Sequence, residues 1–112
     1  MISKGSEAAA GMFAAFSDSN RLRLLSLLRG GERCVCELVA ILGIPQPRTS
    51  RHMARLRKTG LVRSRRQGYW TYYSLAPARG RLHRSLLACL DACAREDATL
   101  CADARRCGGG RC

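Results

Sequence analysis

The 112-residue sequence predicts a mainly α-helical domain with one small β-hairpin, in the order α-α-α-α-β-β-α, working as a homodimer. Three observations carry this. Apolar residues recur at helical spacing in successive stretches, and a single segment of β-branched and aromatic alternation is broken by a glycine turn. A chain this short also buries only a modest core, which pairing with a second copy enlarges.

The first helix is expected over residues 6–16, where alanines are joined by Met12, Phe13 and Phe16. The second opens at Ser17 or Asp18, both good N-caps, carries the leucines of "SNRLRLLSLL" and stops at Gly30 and Gly31. Residues 34–42 make a short third helix in which Val35, Leu38, Val39 and Leu42 share a face and Gly43 ends the run. A fourth helix spans residues 46–59, with Pro47 in its first turn, where a missing N–H does no harm, and Gly60 beyond its end. Two short helices joined by a tight turn form a helix-turn-helix.

Residues 61–66 and 69–75 read as strands with a Gln67-Gly68 turn between them, a hairpin that supplies the wing of a winged helix-turn-helix. Beyond Pro77, Leu82, Leu86, Cys89, Leu90 and Cys93 recur at helical spacing and suit a long amphipathic helix that pairs with its copy. In that setting Cys89 and Cys93 are packing residues. The expected division is a DNA-binding and dimerisation domain over residues 1–97 and a flexible tail over 98–112, which holds Cys101, Cys107, Gly108, Gly109, Gly110 and Cys112.

The net charge of +12 comes from 18 Arg and two Lys against eight acids. No Asp or Glu occurs over residues 38–90, a window that holds 11 of the 20 basic residues. A field of one sign concentrated on the helix-turn-helix and hairpin attracts a polyanion, and arginine suits phosphate and guanine better than lysine does. Double-stranded DNA is the expected partner. An RNA-binding module lacks support, because no RNP-type motif is present and one hairpin is a poor stacking platform. No stretch is long and apolar enough to cross a bilayer, and Lys4 and Glu7 ahead of a short apolar run do not form a signal peptide, so the chain is expected in the cytoplasm with no membrane partner.

Seven cysteines in an odd count, beside leucine-rich helices that need no staples, point to reduced thiols rather than a disulfide framework. Without a Cys-x-x-Cys motif or a glycine-rich anion loop, the chain is not expected to be an enzyme.

The elements in this order, with "SNRLRLLSLL", "ERCVCELVAILGI", "QPRTSRHMARLRKTGLV" and "RRQGYWTYYSL", resemble the ArsR/SmtB family of metal-responsive repressors over about residues 10–76. The resemblance implies a homodimer that blocks a promoter without any cofactor when metal-free and leaves the DNA on binding its inducer.

A recognition helix places its N-terminal residues at base edges in the major groove, which nominates Gln46, Arg48, Thr49, Ser50, Arg51 and His52, with Arg55 farther along. Arginine grips guanine and glutamine grips adenine. Arg63, Arg65 and Arg66 reach phosphates or an adjacent minor groove from the wing, while Tyr69, Trp70, Tyr72 and Tyr73 read as packing residues.

Cys34-Val35-Cys36 stands where the resembled family keeps its arsenic-sensing motif, whose third cysteine is here Val39. Two thiolates remain. They suit trivalent arsenic as arsenite, if a further thiol joins, or a methylated trivalent arsenical, which needs only two. A branch of the resembled family holds Cd(II) or Pb(II) with the same Cys-Val-Cys pair and distant cysteines, which makes these ions an alternative, as is a disulfide switch on the same fold. Either Cys101, Cys107 or Cys112 folds over Cys34 and Cys36, or the tail cysteines form a separate site. Residues i and i+2 of a regular helix diverge, so Cys34 and Cys36 can share one ion only if the helix start loosens. The helix N-terminus and Arg33 should lower the pKa of these thiols. The family's zinc site on the last helix is not matched, since only His83 and acids near Glu96 are present.

Overall fold

A computed structural model describes residues 4–107; Gly108, Gly109, Gly110 and Cys112 lie outside the described residues. The order is α1 (Lys4–Phe16), α2 (Ser19–Leu28), β1 (Arg33–Cys34), α3 (Val35–Leu42), α4 (Gln46–Lys58), β2 (Val62–Gln67), β3 (Trp70–Leu75), α5 (Arg81–Glu96) and α6 (Ala98–Arg106). The fold is the expected winged helix-turn-helix, with two additions. The wing is a three-stranded antiparallel sheet in the order β1-β3-β2, and a sixth helix follows α5.

Local chemistry sets the element ends. The Asp18 carboxylate accepts the Arg21 N–H at 3.0 Å and caps α2, and that hydrogen bond lowers its pKa below the ordinary carboxylate value. Gly43, with φ at +73°, closes α3 in the left-handed conformation, its N–H donating to the Val39 carbonyl at 2.9 Å. Pro45, extended at φ −60° and ψ 148°, then turns the chain into α4.

Leu24 and Leu25 of α2, Leu38 of α3, Met53 and Leu56 of α4 and Leu61 at the wing base all have zero exposure. They form one core that grips the helix-turn-helix from behind. Truncating such a leucine to alanine costs about 2–5 kcal/mol, so the position of α4 is strongly held.

Residues 98–106, expected in a flexible tail, are helical. The Asp97 side chain caps α6 by accepting the Leu100 N–H at 3.0 Å. Leu100, Asp103 and Cys107, spaced for one helix face, are each 2% exposed. Asp103 is buried because Arg23 of α2 meets it with two hydrogen bonds, Nε to Oδ2 at 2.8 Å and Nη2 to Oδ1 at 3.0 Å. Burial of an ion pair in this form stabilises only because both partners are satisfied.

The hairpin turn also differs by one residue from the expected Gln67-Gly68. Gln67 pairs with Trp70, which leaves Gly68-Tyr69 as the two-residue turn. Positive φ, at +63°, falls on Gly68 in the first central position, where a hairpin turn of this length accepts glycine.

Candidate nucleic-acid interface and thiol site

The face of α4 that meets the core is Thr49, Met53 and Leu56. Thr49 has zero exposure and its hydroxyl donates to the Pro45 carbonyl at 3.3 Å, so it packs and is not a base-contacting group. The helical period that places Met53 and Leu56 inward places Thr49 with them. Gln46, Arg48, Arg51 and Arg55 are exposed, and Ser50 and His52 are half-buried. Burial pushes the His52 pKa down, with Arg21, Arg48 and Arg51 acting the same way and Asp18 opposing them. His52 therefore stays neutral near pH 7, leaving the arginines to supply the charge.

In the wing, Arg63, Arg65 and Arg66 are exposed along β2, and the Arg57 guanidinium of α4 donates to the Ser64 hydroxyl at 3.0 Å, tying helix to hairpin. Arg65 is the constrained member. Its Nε and Nη2 donate to the two carboxylate oxygens of Glu32 at 3.0 and 2.7 Å, and its guanidinium carbon sits 4.7 Å from the centre of the Tyr72 ring. Tyr72 and Tyr73 are half-buried, but Tyr69 is 97% and Trp70 54% exposed, so these two are not packing residues. Their position at the turn, outside the reach of the core, is the reason.

The cysteine pair sits where the sheet ends and α3 begins. Cys34 belongs to β1 and is the N-cap of α3, extended at φ −74° and ψ 147°; Cys36 lies in the first turn. The loosened helix start that a shared ligand requires is thus part of the fold. The Cys34 N–H donates to Glu37 Oε1 at 2.9 Å, which fixes the cap. The two sulfurs lie 2.8 Å apart, Cys34 buried and Cys36 exposed.

The expected depression of thiol pKa does not hold for Cys36. Its hydrogen bond with the Cys34 thiol pushes it above the ordinary value and burial adds to this, against opposing backbone N–H groups. Arg33 does not offset the shift, because its guanidinium turns toward the end of α2, with Nε donating to the Leu27 carbonyl at 3.4 Å.

The other cysteines are placed elsewhere. Cys101 donates its thiol to the Ala94 carbonyl at 3.2 Å, and Cys107 is buried beside the end of α2. Neither completes a site with Cys34 and Cys36: among the described residues no three His, Cys, Asp or Glu side chains gather as metal ligands. Cys89 is exposed and Cys93 half-buried on α5. His83 is buried there, its Nδ1 accepting the Arg79 N–H at 3.1 Å.

A helix-turn-helix with an arginine-lined second helix, followed by a basic hairpin, defines a winged-helix regulator of transcription. A family model described as "Bacterial regulatory protein, arsR family" matches residues 18–64. The arsenic resistance transcriptional regulator ArsR1 of Pseudomonas putida is 46% identical over 67 residues, 59% of this chain and 52% of that protein. The chain thus spans about half the length of that relative. The uncharacterized HTH-type transcriptional regulator MJ1325 of Methanocaldococcus jannaschii is 42% identical over 74 residues, 65% of this chain and 83% of that protein. Among solved structures, the homodimeric winged helix-turn-helix DNA-binding domain Mb0332 of Mycobacterium bovis superposes with a TM-score of 0.66 at 31% identity, covering 80% of this chain and 81% of that one. The chain belongs to the arsR family of bacterial regulatory proteins, whose members here are regulators and not enzymes.

Proposed function

We propose that this chain is a homodimeric, cytoplasmic repressor that binds operator DNA when its thiols are free and leaves it when Cys34 and Cys36 take up a soft, thiol-seeking inducer. The observation that carries the reading is the meeting of the two sulfurs, 2.8 Å apart with Cys36 open to solvent, at the entrance to the helix-turn-helix. Gln46, Arg48, Ser50, Arg51 and His52 read the major groove, with Arg55, Arg65 and Arg66 on phosphates. The exposed aromatics Tyr69 and Trp70 at the wing tip extend that face. Phe13, 57% exposed on α1, and Cys89 on α5 leave apolar surface that a second copy would cover.

With two thiols in place, the inducer class the site favours is a trivalent arsenical bearing one carbon substituent. Each thiol replaces one As–OH group: an As–S bond forms, and the thiol proton leaves with the hydroxide as water, two waters for two thiols. The resemblance to an arsenic-resistance regulator supports the same element.

The test is fluorescence anisotropy of labelled promoter DNA with reduced protein, titrated in parallel with methylarsenite, arsenite, Cd(II), Pb(II) and Zn(II). Release by methylarsenite at the lowest concentration, lost in Cys36→Ser, is expected. Release by none of them contradicts the thiol-sensing reading and leaves DNA binding standing.

A further inference from the structure

The strand β1 is two residues long, and its second residue is the buried thiol of the inducer site. It pairs with the wing strand β3 on the side away from β2. The register sets Cys34 opposite Tyr72, and Tyr72 opposite Arg65 across β3. Residues directly opposite in antiparallel strands project to the same face, with Cβ atoms about 4.5–5.5 Å apart. A sensing thiol, an aromatic ring and a wing arginine therefore stand on one rung of one sheet.

The rung is tied to the sensor a second time. Arg65, stacked over Tyr72, is held by both carboxylate oxygens of Glu32, the residue that leads directly into β1 and lies two positions before Cys34. Its remaining terminal nitrogen, Nη1, donates to Gln67 Oε1 at 2.7 Å. The fork that grips a carboxylate in this way is the fork that grips a phosphate. Glu32 and the DNA backbone are thus rivals for Arg65.

We propose that the thiol site governs the wing as well as the recognition helix: Glu32 withholds Arg65 from DNA, and an inducer on Cys34 and Cys36 shifts β1 so that the withheld state prevails. This rests on the repressor reading above and adds the route by which the site reaches the wing. Coupling requires an element with two arrangements that each ligand biases, and Arg65 on Glu32 or on phosphate is that element.

Both residues are exposed enough that conservative changes leave the fold intact, with side-chain exposures of 49% for Arg65 and 37% for Glu32. The experiment compares wild type, Glu32→Gln, Arg65→Gln and the double variant by DNA anisotropy across a salt series, with and without methylarsenite. Methylarsenite uptake by each DNA-free protein is followed separately by protection of thiols from alkylation.

Without inducer, Glu32→Gln is expected to tighten DNA binding about threefold, the scale of a surface ion pair. The slope of log affinity against log salt should steepen by less than about 0.9, the value of one full phosphate contact, because Arg65 is already shared between Glu32 and phosphate without inducer. Neither change should appear when Glu32→Gln is made on Arg65→Gln. With inducer, the ratio of DNA affinities in its absence and presence should fall at least threefold in both single variants, while each DNA-free variant still takes up one methylarsenite per chain. Equal tightening by Glu32→Gln in both backgrounds would reduce Glu32 to a general repulsive charge, and an unchanged ratio would confine the inducer's action to the helix; either overturns the proposal. If methylarsenite releases no DNA even from wild type, the thiol-sensing reading fails, and the salt series still decides whether Glu32 and phosphate compete for Arg65.

Discussion

The two ends of the fold that carry cysteines use the same atom in opposite ways. At the start of α3, Cys34 and Cys36 meet sulfur to sulfur with one thiol open to solvent. In α6 and just beyond it, Cys101 spends its hydrogen on a carbonyl of α5, and Cys107 is packed into the core. A cysteine is available for ligation only where the backbone leaves it a second thiol and access, and the extended Cys34 at the strand-to-helix junction does both. In α6 the helical path separates the thiols and spends them on docking.

The largest expected effect lies in that docking. Arg23→Ala removes the partner of a buried carboxylate, and Asp103 left alone should cost about 3 kcal/mol of stability, read from urea unfolding monitored by circular dichroism. A cost under about 0.5 kcal/mol would mean that α6 is dispensable. Next, Cys107→Ser replaces a buried thiol of the core with a smaller, more polar hydroxyl at a cost of about 1 kcal/mol, with methylarsenite uptake unaltered. Loss of uptake in that variant would dissolve the contrast between the two cysteine regions.

Cys36→Ser should change stability by less than about 0.5 kcal/mol, because the side chain is exposed, yet weaken methylarsenite binding at least tenfold, about 1.4 kcal/mol. A pH series sharpens the same point. The hydrogen bond with Cys34 raises the Cys36 thiol above its ordinary pKa, and ligation requires the thiol proton to leave. For a divalent ion such as Cd(II), proton release makes apparent affinity rise with pH up to and through the raised thiol value. Calorimetry between pH 6 and 8.5 should show it rising, and a flat profile would place the ion elsewhere.

The helix-turn-helix was legible because its cues are local: a Gly stop at Gly43, Pro47 in a first turn, and the spacing of Met53 and Leu56. That spacing also disqualified Thr49, which a rule based only on nearness to the helix N-terminus assigned to bases. The hairpin was legible to within one residue. What the sequence did not disclose depends on distant partners. A two-residue strand such as β1 has no period of its own and exists through pairing with Tyr72 and Tyr73. The carboxylate of Asp103 looks like a solvated charge until Arg23, far away in the chain, is placed against it. Likewise the raised Cys36 thiol follows from sulfur contact, whereas helix-terminus arguments see only the favourable dipole.

The central claim, that Cys34 and Cys36 together hold the inducer, is tested most directly by mapping which thiols methylarsenite shields from alkylation, peptide by peptide, in the reduced protein. The account predicts that Cys34 and Cys36 become protected together, one arsenic per chain, while the labelling of Cys89 and Cys101 is unchanged. Protection of Cys101 or Cys107 with Cys36 still labelled would contradict it.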